Sequence, residues 1–222
     1  MKIVADENIP FVREALGRLG EVVTMPGRKI TPAVVADAEA LFVRSVTKVT
    51  ERLLAGSKVR LVATATIGTD HIDLPYLEKH KIAFAAAPGS NATSVAEYVT
   101  AALLVLARRG GYTLAGKTMG VVGVGNVGSR VASKAKALGM KVLLNDPPLA
   151  RETGDKKYLP LAKLFSADFI TIHTPLTMEG LDATYHMVNE EFVAGMKPGA
   201  VLINTARGMI AEGRALKRAL DG

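Results

Sequence analysis

Short apolar runs alternate with helical patterns along the whole chain. In the first half, the runs "KIVAD", "EVVTM", "ALFVRS", "RLVATAT" and "IAFAAAP" are separated by segments such as "VREALGRL" and "DLPYLEKH". Continuous apolar runs of this length are typical of parallel strands that helices cover on both faces. The pattern therefore predicts a small, doubly wound α/β unit.

A long amphipathic segment, "NATSVAEYVTAALLVLARR", follows the first set of strands. It begins with residues that cap helices well and ends at Gly110 and Gly111, which favours a helix that stops there. We interpret this helix as the connector between two domains. The predicted domains are residues 1–95 and residues 96–222.

Four further strand candidates follow the helix: "TMGVVG", "KVLLND", "DFITIHT" and "AVLINTA". We assign them in chain order to strands 1 to 4 of a dinucleotide-binding sheet with spatial order 3-2-1-4-5-6, so strands 5 and 6 are missing. The apolar "AVLINTA" would then form an open sheet edge, which natural proteins usually cover. We expect a second doubly wound parallel sheet that lacks its last strands, and hence a C-terminally truncated protein.

Composition excludes several classes of function. The chain has no cysteine, and its four histidines lack the spacing of metal ligands, so we expect neither thiol chemistry nor a metal site. The net charge is +7, but the basic residues come in isolated pairs and aromatics make up only 5%, which argues against nucleic-acid binding. No apolar run reaches the roughly 20 residues of a membrane span, and the charged N-terminus is unlike a signal peptide. We expect a cytoplasmic protein with no membrane partner.

The motif "GVGNVG" carries the most specific chemistry in the second half. It follows an apolar strand and opens a helix, the context in which GxGxxG binds a dinucleotide. Gly123 permits a tight turn, Gly125 lets the backbone approach a pyrophosphate, and Gly128 lets helix and strand pack closely. The N–H groups of Asn126 and Val127 would bind the diphosphate. The alternative is a glycine turn without a ligand.

Asp146 ends the next strand, about twenty residues after the glycines. A carboxylate at this position accepts hydrogen bonds from the adenosine ribose and repels a 2′-phosphate, which favours NAD over NADP. Since Pro147 and Pro148 follow, Asp146 is alternatively only a strand-end cap or a turn residue.

Two more strand ends carry polar motifs, "HTPLT" and "NTARG". Ligands of open α/β sheets bind at the carboxyl ends of strands, so we place Thr174 and Ala206 among the cofactor contacts. Arg207 offers a bidentate fork for a carboxylate and is the candidate catalytic residue. Its alternative is a surface arginine. We expect His173 to position Thr174 rather than to donate a proton.

In the first half, Ser45 and Thr66 lie in polar loops that follow strands and are candidate substrate-binding residues. Ordinary turn chemistry uses the same residue types, so both interpretations stay open. His71 lies in a segment that reads as a helix start with Asp70 as its N-cap, and we expect a structural role for it.

Taken together, "NATSVAEYV", "GVGNVG" with Asp146, "HTPLT" and "MKPGAVLINTARG" resemble the D-isomer-specific 2-hydroxyacid dehydrogenases. The resemblance covers the whole chain. It implies a flavodoxin-like substrate domain and an incomplete Rossmann NAD-binding domain. It also implies Ser45 and Thr66 as substrate contacts, Asp146 and Thr174 as NAD contacts, and Arg207 as the active-site arginine.

Further motifs, "KIVADENIP", "VRSVTKVT" and "NDPP", are similar to a branch of that family whose substrate is a phosphorylated 2-hydroxy acid. Oxidation of D-3-phosphoglycerate or another D-2-hydroxyacid, and an inactive NAD-binding fragment, are the alternatives. The family's catalytic Glu and His come later than the last residue of this sequence. The resemblance thus implies that these 222 residues alone are inactive, and that a full-length form is a homodimer.

Overall fold

The computed structural model describes residues 1–66 and 68–221. The chain divides into two compact units, Met1–Ser90 and Asn91–Gly222. This division falls at the start of the long helix, five residues before the predicted boundary. The assignment of residues 1–95 to the substrate and of residues 96–222 to the cofactor stays a prediction.

The first unit contains a parallel five-stranded sheet in the spatial order β2-β1-β3-β4-β5. This is the flavodoxin-like order, so the predicted fold class of this unit is confirmed. The strands are β1 (Lys2–Asp6), β2 (Glu21–Met25), β3 (Ala40–Val43), β4 (Leu61–Thr64) and β5 (Ala83–Ala86). The helices are α1 (Val12–Leu16), α2 (Pro32–Val35), α3 (Glu51–Leu54) and α4 (Leu74–Lys79), with a 3₁₀ turn at Gly27–Lys29.

The start of α4 differs from the prediction. Its N-cap is Asp73, whose carboxylate accepts a hydrogen bond of 3.0 Å from the N–H of Tyr76, and not Asp70. The preceding residues cannot join the helix because Ile72 pairs with Val49 in an isolated parallel bridge. Tertiary pairing thus displaces the helix start by three residues.

Three loops of the first unit meet at Gly27. A methyl group on this glycine would lie 2.4 Å from Oδ2 of Asp6, 2.7 Å from Oγ1 of Thr47 and 2.8 Å from Cγ2 of Val46. The Thr47 hydroxyl donates to the Gly27 carbonyl at 3.0 Å. Because Asp6 ends β1 and Thr47 follows β3, this contact holds the loop that carries Ser45 against two neighbouring loops.

The second unit begins with α5 (Ala92–Gly110), which ends as predicted at Gly111 in the left-handed region with φ 65°. Its four parallel strands are β6 (Thr118–Val122), β7 (Lys141–Asn145), β8 (Phe169–Ile172) and β9 (Val201–Asn204). The remaining helices are α6 (Asn126–Ala137), α7 (Pro147–Thr153), α8 (Glu190–Gly195) and α9 (Gly213–Asp221), with 3₁₀ turns at Leu161–Ser166 and Gly208–Ile210.

The strand order of this unit is β7-β6-β8-β9, which corrects the predicted assignment. β8 pairs with β6, on the side opposite β7, and therefore occupies position 4 of the 3-2-1-4-5-6 order, with β9 in position 5. Position 3 is reduced to one bridge between Leu144 and Tyr158. Two lysines precede Tyr158 and Pro160 follows shortly after, so no strand extends from the bridge.

Helices cover both faces of the second sheet, as parallel sheets require. On one face, Leu103 of α5 and Val131 of α6 pack with Met119 and Phe169 of the sheet. On the other face, the core forms around Ile170, with these residues from the covering segments: Leu164, Phe192 and Ile210. All four residues of β8 are buried, which explains its continuous apolar run.

Within the described residues, no helix is long and apolar enough to cross a membrane. The same residues contain no group of three or more acidic or histidine side chains that could hold a metal ion.

Replacing Gly27 with Ala should destabilise the first unit by about 2–3 kcal/mol, because the new methyl group has no room beside Asp6 and Thr47. Gly56→Ala is the control: Gly56 has φ +73° but nothing within 4 Å of its added methyl group, so backbone strain alone should cost about 1 kcal/mol. Urea unfolding of both variants measures the difference. Equal losses would show that the three-loop contact contributes nothing.

Candidate functional site

A cleft of about 630 Å³ opens at the carboxyl ends of β6, β7 and β8, where a ligand of a doubly wound sheet is expected. It is lined by the glycine loop, the start of α7 and the loop after β8. Its principal lining residues are Gly123, Gly125, Asp146, Pro147, Pro148, His173, Thr174, Thr177, Leu181 and Asp182. Four of the predicted cofactor-binding residues are among them: Gly123, Gly125, Asp146 and Thr174.

The three glycines of the loop differ in what surrounds them. Gly123 adopts φ +82°, and a methyl group there would lie 2.9 Å from the backbone of His173 and Thr174. A methyl group on Gly128 would lie 1.9 Å from the carbonyl oxygen of Gly123, so α6 packs directly on the loop. Gly125 has nothing within 4 Å and is exposed, which leaves its backbone open to a ligand.

The helix α6 begins at Asn126, directly after the glycine loop. The N–H groups of its first turn, those of Asn126 and Val127, have no carbonyl partner within the helix, and the helix dipole makes this end electropositive. Asn126 is exposed and Val127 is half-buried. An anionic group above Gly125 can therefore receive backbone hydrogen bonds from this turn.

Asp146 is both a cap and a wall of the cleft. Its Oδ1 accepts a hydrogen bond of 3.1 Å from the N–H of Leu149 and so caps α7, and its Oδ2 accepts one of 2.7 Å from the N–H of Val124. The alternative that the sequence left open, a strand-end cap, is thus present. Since each carboxylate oxygen has two lone pairs, both oxygens keep acceptor capacity toward the cleft.

His173 and Thr174, the two residues that follow β8, differ in how their polar atoms are hydrogen-bonded. The ring of His173 lies 2.9 Å from the hydroxyl of Thr171 through Nε2 and 2.9 Å from that of Thr205 through Nδ1. Burial lowers the pKa of His173 to about 4, so the ring is neutral near pH 7. In contrast, the buried Oγ1 of Thr174 has no partner among the described residues, which suits a ligand contact.

His173 ties the end of β8 to the loop after β9, a link that the sequence pattern did not reveal. It is consistent with the expected positioning role, since the ring is anchored at both nitrogens and directly precedes Thr174. The motifs "HTPLT" and "NTARG", which the sequence places at the ends of two strands, meet through this ring. The only signal in the sequence was the placement of both motifs at strand ends.

Ala206 and Arg207 lie in the loop after β9, outside the set of residues that line the cleft. The N–H of Ala206 donates to Oδ1 of Asn204 at 3.0 Å, and Nδ2 of Asn204 donates to the carbonyl of Arg207 at 2.9 Å. Asn204 thus shapes the turn from both sides. The Arg207 side chain is half-buried, with Nη1 3.3 Å from the Ala206 carbonyl. The roles of both residues stay predictions.

In the first unit, Ser45 is exposed in the turn after β3. Thr66 follows β4, and its hydroxyl lies 2.8 Å from that of Thr64 and donates to the carbonyl of Gly68 at 3.2 Å. Thr64 in turn lies 3.0 Å from Nε2 of the buried His71. His71 therefore braces the Thr66 loop from within, as its structural interpretation expects. Substrate binding by Ser45 and Thr66 stays a prediction.

Residues 91–222 match the family model of the D-isomer specific 2-hydroxyacid dehydrogenase, NAD binding domain. The chain belongs to this family. Its fold class, two doubly wound α/β units of which the second is of the Rossmann type, is that of the family's solved structures.

All 222 residues are also similar to curated enzymes named erythronate-4-phosphate dehydrogenase. The identity is 50% to the enzyme of Cronobacter sakazakii and 49% to that of Shigella flexneri. The chain covers 59% of the length of each of these relatives.

Two solved structures show the same fold with bound cofactor. D-lactate dehydrogenase from Aquifex aeolicus, complexed with NAD and lactic acid, is 34% identical with a TM-score of 0.81, over 99% of this chain and 73% of that one. NAD⁺-bound 3-phosphoglycerate dehydrogenase of Entamoeba histolytica is 30% identical with a TM-score of 0.83, over 100% of this chain and 76% of that one.

The cofactor is NAD, as predicted. The cleft fits it on three observations: Gly125 leaves its backbone open, the Thr174 hydroxyl has no partner within residues 1–66 and 68–221, and Asp146 lines the cleft with spare acceptor capacity. Asn126, Val127 and Gly128 contribute the helix end beside it. The individual cofactor contacts stay predictions.

Gly128→Ala and Gly125→Ala should separate folding from cofactor binding. The methyl group on Gly128 meets a backbone carbonyl that cannot move away, so the second unit should lose about 3 kcal/mol of stability. Gly125→Ala should leave the unfolding free energy unchanged but weaken NAD binding about tenfold, since the methyl group holds the diphosphate away from the N–H groups. Urea unfolding and calorimetric NAD titration measure the two effects. Intact NAD affinity in Gly125→Ala would rule out diphosphate binding at this loop.

His173 should make the stability of the second unit depend on pH. Its folded pKa of about 4 lies below the ordinary value of 6.5, so between these values the unfolded chain binds the proton that the folded chain excludes. The free energy of unfolding should therefore fall by about 2–3 kcal/mol as the pH drops from 6.5 to 4. His173→Gln should remove this part of the pH dependence, whereas the same change at the exposed His80 should not. A ring that titrates near 6.5 by NMR would contradict the burial argument.

Proposed function

We propose that this chain is part of an NAD-dependent dehydrogenase that oxidises 4-phospho-D-erythronate to 2-oxo-3-hydroxy-4-phosphobutanoate. The observation that carries the proposal is the 49–50% identity to enzymes named for this substrate, which extends over all 222 residues. The chain spans 59% of their length, and the activity is proposed for the whole protein. The reaction would serve pyridoxal 5′-phosphate biosynthesis.

NAD⁺, when bound, supplies the acceptor for the hydride that leaves C2 of the substrate. In this proposal Thr174 and Asp146 hold the cofactor in the cleft. Ser45 and Thr66 bind the substrate through hydroxyl groups. The guanidinium of Arg207 pairs with the substrate carboxylate and stabilises the negative charge that develops on the carbonyl oxygen.

Oxidation of a different D-2-hydroxyacid is the second candidate. It is supported by the similarity to a D-lactate dehydrogenase and a 3-phosphoglycerate dehydrogenase, at 34% and 30% identity. The identity to the erythronate-4-phosphate dehydrogenases is higher, which favours the phosphorylated four-carbon acid. The net charge of +7 also suits an anionic substrate and a dinucleotide, although it does not separate the two candidates.

We further propose that the 222 residues bind NAD without turning over substrate. The family resemblance implies that the proton acceptor for the C2 hydroxyl is a histidine outside these 222 residues. His173, whose two ring nitrogens contact Thr171 and Thr205, is assigned a structural role. Calorimetric NAD titration of the 222-residue chain, paired with an assay of NADH formation, tests this. Turnover above background would overturn it.

A homodimer is proposed for the longer form, and its sedimentation would test this.

In an active form of the enzyme, Arg207→Ala should lower kcat/KM for 4-phospho-D-erythronate on the order of 100-fold, because the carboxylate and the developing oxyanion lose their charged partner. The Kd of NAD should change less than about threefold, since Arg207 does not line the cofactor cleft. Arg214→Ala, at an exposed position of α9, is the matched control and should retain activity. Normal turnover in Arg207→Ala would contradict the assigned role, and a better kcat/KM for D-3-phosphoglycerate or D-lactate would favour the second candidate.

A further inference from the structure

The loop after β8 is closed on itself by two threonines. The N–H of Thr177 donates to Oγ1 of Thr184 at 2.9 Å, and the N–H of Thr184 donates to Oγ1 of Thr177 at 3.0 Å. The Thr184 hydroxyl donates to the carbonyl of Pro175 at 2.6 Å, and that of Thr177 donates to the carbonyl of Asp182 at 2.9 Å. Residues 177–184 thus form a compact loop whose two ends are joined by these bonds, and one of the bonds also holds the backbone of Asp182.

This loop is one wall of the NAD cleft, and the start of α7 is the wall opposite. Glu179, Leu181 and Asp182 line the cleft from the loop, and Pro147 and Pro148 line it from α7. Leu181 is 87% exposed although it lines the cleft, so an apolar side chain stands at the mouth. Since an acid in the position of Asp146 is predicted to bind the adenosine ribose, we assign this part of the cleft to the adenosine.

An ion pair joins the two walls. Nη1 of Arg151, on α7, donates to Oδ1 of Asp182 at 3.1 Å, and Nη2 donates to Oδ2, which is the bidentate geometry of strong guanidinium–carboxylate pairs. The Asp182 side chain is largely shielded and that of Arg151 is half-exposed. This ion pair links α7 to the loop. The threonine bonds lie within the loop and do not reach α7.

We propose that Arg151 and Asp182 are positioning residues for the cofactor: their ion pair holds the 177–184 loop in the position where it forms the outer wall around the adenosine of NAD. The ion pair slows the dissociation of the cofactor, because a displaced loop opens the mouth of the cleft. It touches neither the substrate nor the reacting carbon. The proposal therefore stands or falls independently of the proposed substrate.

The charge of Asp182 and its ion pair have opposite expected effects on NAD affinity. NAD is anionic, so the loss of the Asp182 charge should by itself tighten binding through reduced repulsion. Loss of the ion pair should instead weaken NAD binding, since the loop is then no longer anchored to α7. Asp182→Ala is therefore the discriminating variant, whereas loss of Arg151 would weaken binding on either basis.

The test uses the 222-residue chain with NAD and with ADP-ribose, which lacks the nicotinamide. Asp182→Ala should raise the Kd of both ligands about threefold to fivefold, through a faster dissociation rate in stopped-flow traces. Glu190→Ala is the matched control, because Glu190 forms an exposed ion pair with Arg218 in the same unit and does not line the cleft. It should leave both Kd values unchanged. The double variant R151D/D182R, which reverses the pair, should recover most of the lost affinity.

Two further readouts extend the test: the first needs no bound cofactor, and the second follows the wild-type protein. Amide hydrogen exchange at residues 177–184 of the free chain should be faster in Asp182→Ala than in the wild type. Raising the salt concentration from about 0.05 M to 0.5 M should shift the wild-type dissociation rate toward that of the variant. Unchanged or tighter NAD binding in Asp182→Ala, an effect on NAD but not on ADP-ribose, or no recovery in the reversed pair would each overturn the proposal.

Discussion

The second unit depends on the contact between the carbonyl of Gly123 and the first turn of α6. With a methyl position on Gly128 only 1.9 Å from that oxygen, helix and loop touch through backbone atoms with no side chain between them. The same loop touches the backbone after β8, where Gly123 meets His173 and Thr174. This close approach places the positive end of α6, the N–H of Val124 and the hydroxyl of Thr174 around one cleft. These groups face one cleft because the glycine loop, α6 and the segment after β8 lie in backbone contact.

Polar side chains at the strand ends then fix the rest of the cleft. Asp146 accepts from two backbone N–H groups and His173 bridges two threonines, so hydrogen bonds fix the positions of both side chains. Thr174 is the exception, because its buried hydroxyl has no partner within the described chain. A buried polar atom without a partner is costly, and a cofactor that bonds to it would remove this cost. The hydroxyl of Thr174 thus marks a point in the cleft where a ligand atom can bond.

Much of the fold and of the site could be predicted from local patterns. Parallel strands buried on both faces produce the apolar runs, and GxGxxG produces the turn and helix start that Gly123 and Gly128 show, because these features depend on a few adjacent residues. The spatial strand order could not be read in this way. It depends on the pairing of β8 with β6 rather than with β7. This pairing joins residues some fifty positions apart in the chain, such as Met119 and Phe169. The start of α4 was missed for the same reason, since a bridge from Val49 to Ile72 excludes Asp70 from the helix.

The sequence by itself determined the class of fold through the periodicity of its apolar runs, the cofactor through the glycine loop with Asp146, and the family resemblance through motifs such as "MKPGAVLINTARG", because each of these is a local feature of the chain. Only the tertiary structure decided that Asp146 is at once a cap and a wall of the cleft, that His173 links two strand ends as a neutral ring, and that Arg151 reaches Asp182 across the mouth of the cleft. Each of these depends on which strand ends and loops are neighbours in space. That adjacency follows from long-range packing, and its signal in the sequence is limited to the placement of polar motifs at strand ends.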